Sequence, residues 1–269
     1  MNTRPFKVSV IIPCFNHGEF LPEAVASVIS MNRDDVELLV VDDGSTDDRT
    51  RKEMDTLEAK GVHVIRQENK GLSAARNAGI SASQAKYILP LDADNHIRPA
   101  YVDHGVGILD TQPQVGVVYG DAEFIGIRTG RWNVGSFSPA RLLDSNYIDA
   151  CAVYRRSVWE QNGGYDERML NGFEDWDFWL GAYERAWQFA YVPEVLFDYR
   201  KAHESMLTRV WHLREQVAQF VAAKHGPLYR QAWLQLASER DSGKAMLRNL
   251  RRIAKTRIKQ KLRIDGDQG

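Results

Sequence analysis

Three pairs of carboxylates in this sequence stand where an α/β sheet would present them to a ligand: Asp42-Asp43, Asp92-x-Asp94 and Glu174-Asp175. An acidic pair after a strand is often only a turn-former or a helix cap, so one pair alone carries little. The Asp-x-Asp spacing has a more specific use. Two phosphates whose charge grows as a leaving group departs are neutralised by a hard divalent cation. One or two carboxylates hold such a cation while phosphate oxygens and water complete its shell. Asp92 and Asp94, with Asn95 beside them, suit Mn²⁺ or Mg²⁺ in that role. Neither GxxxxGK[ST] nor a GxGxxG opening the first helix is present, so there is no loop to cradle phosphate through backbone amides. Neutralisation then falls to a metal and to Arg76, on the helix after Gly71. Asp43 can accept a hydrogen bond from a base N–H. Phe15 can stack on that base, with plain core packing an equal reading of it.

The elements that must position these groups follow from apolar periodicity. Val8 to Ile12 is a continuous apolar run, which predicts a strand buried on both faces and ending at Pro13. Helical spacing over Glu19 to Met31, a second buried strand over Glu37 to Val41, and a helix over Thr50 to Lys60 complete a first β-α-β-α run. A strand over Val62 to Arg66, a helix over Ser73 to Ala85 with Ser73 as its N-cap, and a strand over Tyr87 to Leu91 follow. The three acidic pairs thus lie after the second strand, after the fourth strand, and at the start of a tryptophan-rich helix over Glu174 to Ala186. Tyr101 to Thr111 reads as another helix, and Gly116 to Tyr119 and Phe189 to Val192 as strands. Asp121 to Asn146 reads as an irregular region suited to acceptor loops. Alternation of this kind predicts a Rossmann-like, mostly parallel sheet with helices on both faces and ligands at the carboxyl ends of its strands. From Met206 onward the pattern is helical, so the expected division is an α/β domain over residues 1–208 and a helical extension over 209–269.

Composition sets the outer limits. The 269 residues, 43 % hydrophobic and 26 % charged, suit one large α/β domain with a short appendage. The net charge of −1 hides a split: Lys244 to Arg263 holds nine basic side chains and no acidic one, leaving the main body acidic. That gives no support to nucleic-acid binding by the body. The basic segment fits a helix on an anionic membrane surface, and equally a solvated tail helix. No apolar run approaches the roughly 18 residues of a membrane span, and MNTRPFK runs directly into VSVII, so a cytoplasmic setting without a secretory signal is expected. Cys14 and Cys151 have no metal-ligand spacing and read as reduced, buried thiols.

Four segments in order, VSVIIPCFN, VVDDGSTD, the stretch from NKGLSAARNAGI to LPLDADN, and GGYDERMLNGFEDWDFWL, make the chain resemble the family-2 glycosyltransferases of the GT-A fold over Val8 to Thr208. The resemblance implies that Pro13, Phe15 and Asp43 hold a uridine and that Arg76 lies near the base or diphosphate. Asp92 and Asp94 would be the metal motif, with Asp94 the direct ligand because the chain reads Asp-Ala-Asp. Asp175 would be the general base, and His203, in YRKAHESML, would lie near the diphosphate or metal. Trp176 resembles an acceptor platform, with helix packing an equal reading. The implied reaction is inverting single displacement from a nucleotide-sugar donor, a UDP-sugar, onto a hydroxyl of a glycan or lipid-linked glycan. A QxxRW motif is absent, which implies one sugar per encounter. A protein that binds a nucleotide-sugar without turnover is the alternative. A phosphotransferase built on DxDx[TV] is disfavoured, because that pair follows a first strand and this one a fourth. For Asp175 itself, a helix N-terminus favours the ionised form while burial among tryptophans opposes it.

Overall fold

A computed structural model describes residues 6–202 and 211–238 of the chain, in two compact units spanning residues 1–221 and 222–269. In the first unit the apolar runs become the centre of a sheet. β1 (Val8–Cys14) is buried at every position and lies parallel to β2 (Val36–Asp42), with β3 (His63–Arg66) parallel beyond it and β4 (Tyr87–Pro90) parallel on its other side. Such strands lack polar alternation because helices cover both of their faces. The covering elements are α1 (Leu21–Ile29), α2 (Asp48–Ala59) and α3 (Leu72–Ala82). α2 begins where Asp47 accepts a hydrogen bond from Thr50 N at 2.8 Å. Gly79 lets α3 lie directly on the sheet, since a Cβ there would stand 2.5 Å from Ile11 Cγ2.

The start of α3 departs from expectation. Gly71 at φ +90° is its N-cap, and Ser73 lies inside the first turn with its hydroxyl buried and without a partner. The glycine is needed because the chain enters the helix through a positive φ, where a serine would be strained.

The second half of the sheet is mixed. β5 (His96–Ile97) precedes α4 (Ala100–Thr111), and then β6 (Val115–Gly126), β7 (Gly130–Trp132), α5 (Pro139–Asp144), β8 (Val153–Arg155), α6 (Arg156–Asn162), α7 (Glu174–Glu184) and β9 (Gln188–Lys201) follow. β8 sits antiparallel between β4 and β6, β6 and β9 run parallel, and the strand order is β3-β2-β1-β4-β8-β6-β9-β5, with β7 paired to β6. Parallel pairing thus belongs to the first four strands and to the long β6–β9 pair, while β5, β7 and β8 are antiparallel additions.

β6 and β9 run well past the strands expected from periodicity. The pattern breaks at Asp121, yet Asp121 is buried and saturated: Arg131 donates to it at 2.7 Å, Val134 N at 2.8 Å and Tyr191 Oη at 2.8 Å. A buried carboxylate is tolerated inside a strand when donors surround it. These donors fold β7 and the loop after it onto the sheet. Cys14 and Cys151 are free and buried.

Beyond β9, the described residues are helical: a 3₁₀ turn (Trp211–Leu213), α8 (Arg214–Lys224), and α9 (Gly226–Ser238) in the second unit. The basic segment 244–263 lies outside the described residues. Among those described, no helix is long and apolar enough to cross a membrane.

Candidate functional site

β1, β2 and β4 are parallel neighbours, so their carboxyl ends open on one edge, and the segments leaving them carry most of the sequence motifs. Pro13 is buried within β1, opposite Val41. Phe15, one residue past that strand, is 42 % exposed, which removes it from the core and leaves its ring open to a ligand. Asn16 adopts φ +56° and fastens the loops after β1 and β2 together. Its Oδ1 accepts from Thr46 N at 2.8 Å and Asp47 N at 3.2 Å.

Asp43 is 3 % exposed and serves first as an internal clamp. Its Oδ1 accepts from Gln67 Nε2 at 2.7 Å and Lys70 N at 2.9 Å, and its Oδ2 from Gly71 N at 2.9 Å. A carboxylate offers about four lone-pair directions, so Oδ2 retains one for an N–H brought by a ligand.

Arg76 is a buried member of the site. Its residue is 1 % exposed, and its guanidinium forks between Asp92 Oδ1 at 2.7 Å and the buried Glu174 Oε1. The forked geometry joins the turn after β4 to the first residue of α7. Burial alone would lower its proton affinity, but the Asp92 and Glu174 charges outweigh it and hold the group well above the ordinary arginine range. Arg76 Nε and Glu174 Oε2 are buried without a protein partner.

Asp175 follows on α7, and the question left open by its sequence is resolved in favour of burial. Burial, then the Glu174 charge, push its carboxyl up to about 7, against the pull of the Asn146 amide, Arg76 and the Trp176 N–H. Asn146 Nδ2 donates to Asp175 Oδ1 at 2.8 Å. The entry to α7 is itself unusual: Phe173 caps it at φ +65°, after Gly172 at φ +78°. Trp176 is 5 % exposed with Nε1 donating to Leu142 O at 2.6 Å, so of its two readings helix packing is the one observed.

Asp92 and Asp94 are half-buried in the turn after β4. Asn95 closes that turn through its N–H to Asp92 O at 3.0 Å, and its Oδ1 accepts from Arg200 N at 2.9 Å. Burial and the neighbouring Asp92 charge push the Asp94 carboxyl up to about 6, while His17 and Arg200 pull it down. Among the described residues no three His, Cys, Asp or Glu side chains stand together as a protein-only metal site. The donor chemistry nevertheless fits a hard cation. Two crowded carboxylates with excess negative charge are what a divalent ion relieves, and phosphate oxygens supply its remaining ligands. His203 lies outside the described residues.

Three further groups join the site without any signal in spacing or period. Asn146 holds Asp175, as above. Asp149, whose Oδ1 accepts from Cys151 N at 2.9 Å, is raised well above the usual carboxylate range by burial and then by Asp92, with Asp175 adding to the effect. Tyr199 on β9 lies within electrostatic reach of Asp149, Asp92, Asp94 and Asp175. Asn146 closes the segment read as irregular and Asp149 follows it outside every expected element, where no pattern separates a site residue from a turn residue.

Comparison with known proteins adds an independent line. The family model described as "Glycosyl transferase family 2" matches residues 9–163, more than half of the chain. An uncharacterized glycosyltransferase of Nostoc sp. is 34% identical over 116 residues, covering 42% of this chain and 36% of its own. An uncharacterized glycosyltransferase of Haemophilus influenzae is 24% identical over 210 residues, covering 72% of this chain and 65% of its own. The chain thus spans 36% of the Nostoc relative and 15% of an uncharacterized glycosyltransferase of Rickettsia felis. Among solved structures, S. aureus TarS 1-349 in complex with UDP-GlcNAc superposes with a TM-score of 0.61 at 20% identity, over 76% of this chain and 61% of that one. The mannosyltransferase PcManGT from Pyrobaculum calidifontis, in complex with GDP-Man and Mn²⁺, gives 0.61 at 19% identity, over 87% and 71%. At these identities the structures show the shared GT-A fold.

Proposed function

The chain belongs to glycosyl transferase family 2, and from that premise we propose that it is an inverting, metal-dependent, non-processive glycosyltransferase. The donor in this reading is a nucleotide-diphosphate sugar, a UDP-sugar, and the acceptor a hydroxyl of a glycan or lipid-linked glycan, on the cytoplasmic side. The observation that carries it is the Arg76 fork. One buried guanidinium links the Asp-x-Asp turn to the helix bearing Asp175, so a diphosphate at the first and an attacking hydroxyl at the second share one rigid frame. Neighbours of the same fold in complex with UDP-GlcNAc and with GDP-Man support a nucleotide-sugar donor.

Each residue then has a task. Phe15 stacks on the base and Asp43 accepts its N–H through the remaining position on Oδ2, with Pro13 stiffening the strand end beneath them. Asp94, assisted by Asp92, would hold Mn²⁺ or Mg²⁺, which when bound would neutralise charge on a diphosphate. Asp175 accepts the proton of the acceptor hydroxyl as it attacks the anomeric carbon, and a carboxyl at about 7 is well matched to that work near neutrality. One base beside the attacking hydroxyl suffices for inversion. Arg76 positions Asp92 and Glu174 from below.

The reading is tested by calorimetry with UDP in the presence and absence of Mn²⁺. Wild type is expected to bind UDP more tightly with the metal, and Asp94→Ala to lose that metal-dependent gain, by about tenfold or more, because few protein ligands remain. Unchanged affinity in Asp94→Ala would remove Asp94 from the metal site.

A pH profile tests the base. Activity depends on ionised Asp175, so kcat/KM is expected to fall below about pH 7. The Asn146 amide stabilises the ionised form, so Asn146→Ala raises the Asp175 pKa and moves the acidic limb to higher pH. A limb that stays in place shows that the titrating group is not the one Asn146 holds.

A further inference from the structure

Alternate side chains of a strand share a face, so Tyr199 and Lys201 at the end of β9 point the same way, together with Phe124 on β6, the register partner of Tyr199. β7 adds Trp132, opposite Ala122. Phe124 stacks on Trp132 with ring centroids 5.9 Å apart, and Tyr199 meets the two edge-on at 6.0 Å and 5.6 Å. Two cations lie on this aromatic wall. Arg128, exposed in the turn between β6 and β7, sits 4.2 Å from the Phe124 ring centroid, and the half-buried Lys201 places its ammonium 5.3 Å from that of Tyr199.

Their partners are what sets these two apart. Arg131 is paired with Asp121 and Arg200 with Glu23, each at 2.7 Å or less. Among the described residues neither Arg128 nor Lys201 has a carboxylate at ion-pair distance; burial and then the like charge of Arg128 lower the proton affinity of Lys201, and Asp149 opposes them. Two like charges on a partly desolvated wall repel each other, and beyond its ring contact neither has a carboxylate among the described residues to offset this. An anion supplied from outside reverses that balance.

We infer that Arg128 and Lys201 form a subsite for a phosphate group on the acceptor, so that the hydroxyl to be glycosylated belongs to a phosphorylated sugar. This rests on the glycosyltransferase reading. A planar fork beside a point charge suits a multiply charged tetrahedral oxyanion. Arg200, on the opposite face of β9, donates to Asp94 O at 3.0 Å, whereas Lys201 lies on the Tyr199 side, where Asp149 is its compensating charge. Four carboxylates, Asp92, Asp94, Asp149 and Asp175, would repel an acceptor phosphate, and the two cations offset this at the rim. The aromatic wall between them provides apolar surface for the sugar ring.

Calorimetry of glucose 1-phosphate into protein saturated with UDP and Mn²⁺ decides the matter. Wild type is expected to bind it, and to bind inorganic phosphate more weakly. The Arg128→Met/Lys201→Met double variant is expected to lose about tenfold or more in glucose 1-phosphate affinity while holding UDP affinity within about twofold. Arg128→Met alone, in an exposed turn, is expected to show a smaller loss in the same direction with an unchanged fold. Equal affinity in wild type and double variant, absence of binding by wild type, or a parallel loss of UDP affinity overturns the subsite. If wild type binds no UDP, the nucleotide-sugar reading fails instead, and the same glucose 1-phosphate comparison without UDP still decides the subsite.

Discussion

Asp175→Asn is expected to leave UDP affinity within about twofold of wild type while lowering kcat by about 10² to 10⁴, the range that general-base catalysis contributes. The substitution keeps the shape of the side chain and its contact with Asn146, so the loss falls on proton acceptance and not on the site's architecture. Steady-state kinetics with calorimetry on the same preparation separates the two. The residual rate should also lose its acidic limb near pH 7, since the titrating group is gone. A variant with near wild-type turnover would show that another group takes the proton, and the raised carboxyl of Asp149, within electrostatic reach of Asp175, would be the next to change.

Arg76→Met is expected to cost about 3 to 5 kcal/mol of unfolding free energy, because it strands the buried Glu174 carboxylate and leaves Asp92 unpaired. Domains of this kind have only about 5 to 15 kcal/mol in total, so urea denaturation should show a large shift of the midpoint. Arg76→Lys should rescue little, since one ammonium cannot span both carboxylates as the guanidinium does. Adding Glu174→Gln to Arg76→Met should recover part of the stability by removing the stranded charge, which identifies the electrostatic origin of the loss. A loss below about 1 kcal/mol would mean that the fork is not a structural element.

These two substitutions divide the site into a part that performs chemistry and a part that holds it in place. The Asp94 and Asp175 carboxyls are raised by burial and by a neighbouring carboxylate, which suits them to a cation and to a proton. Arg76 beneath them is held by Glu174 and Asp92 through its two terminal nitrogens. Asp43 lies between these roles: it is needed internally to launch α3 through Lys70 and Gly71, with one acceptor position left for a ligand.

The sequence by itself determined the parallel half of the sheet, the acidic pairs at its carboxyl edge and the helix of Asp175. Each rests on short-range information: a continuous apolar run for β1, helical spacing for α1, and acid pairs fixed by the strands or helix they adjoin. Only the tertiary structure decided what required residues far apart in the chain. Arg76 and Glu174 are separated by 98 positions, and their pairing makes a buried strut between two of the acidic motifs. Asp121 reads as a strand breaker until Arg131, Val134 and Tyr191 surround it, and it then allows β6 to run on to Gly126. The balance at Asp175 also waited on packing, because the helix terminus is visible in sequence whereas desolvation, Glu174 and Asn146 act only once α7 is buried. Local preferences act within a few residues and are written in order along the chain. Burial and charge pairing act through space, and which groups they bring together is set by how the sheet folds the chain back on itself.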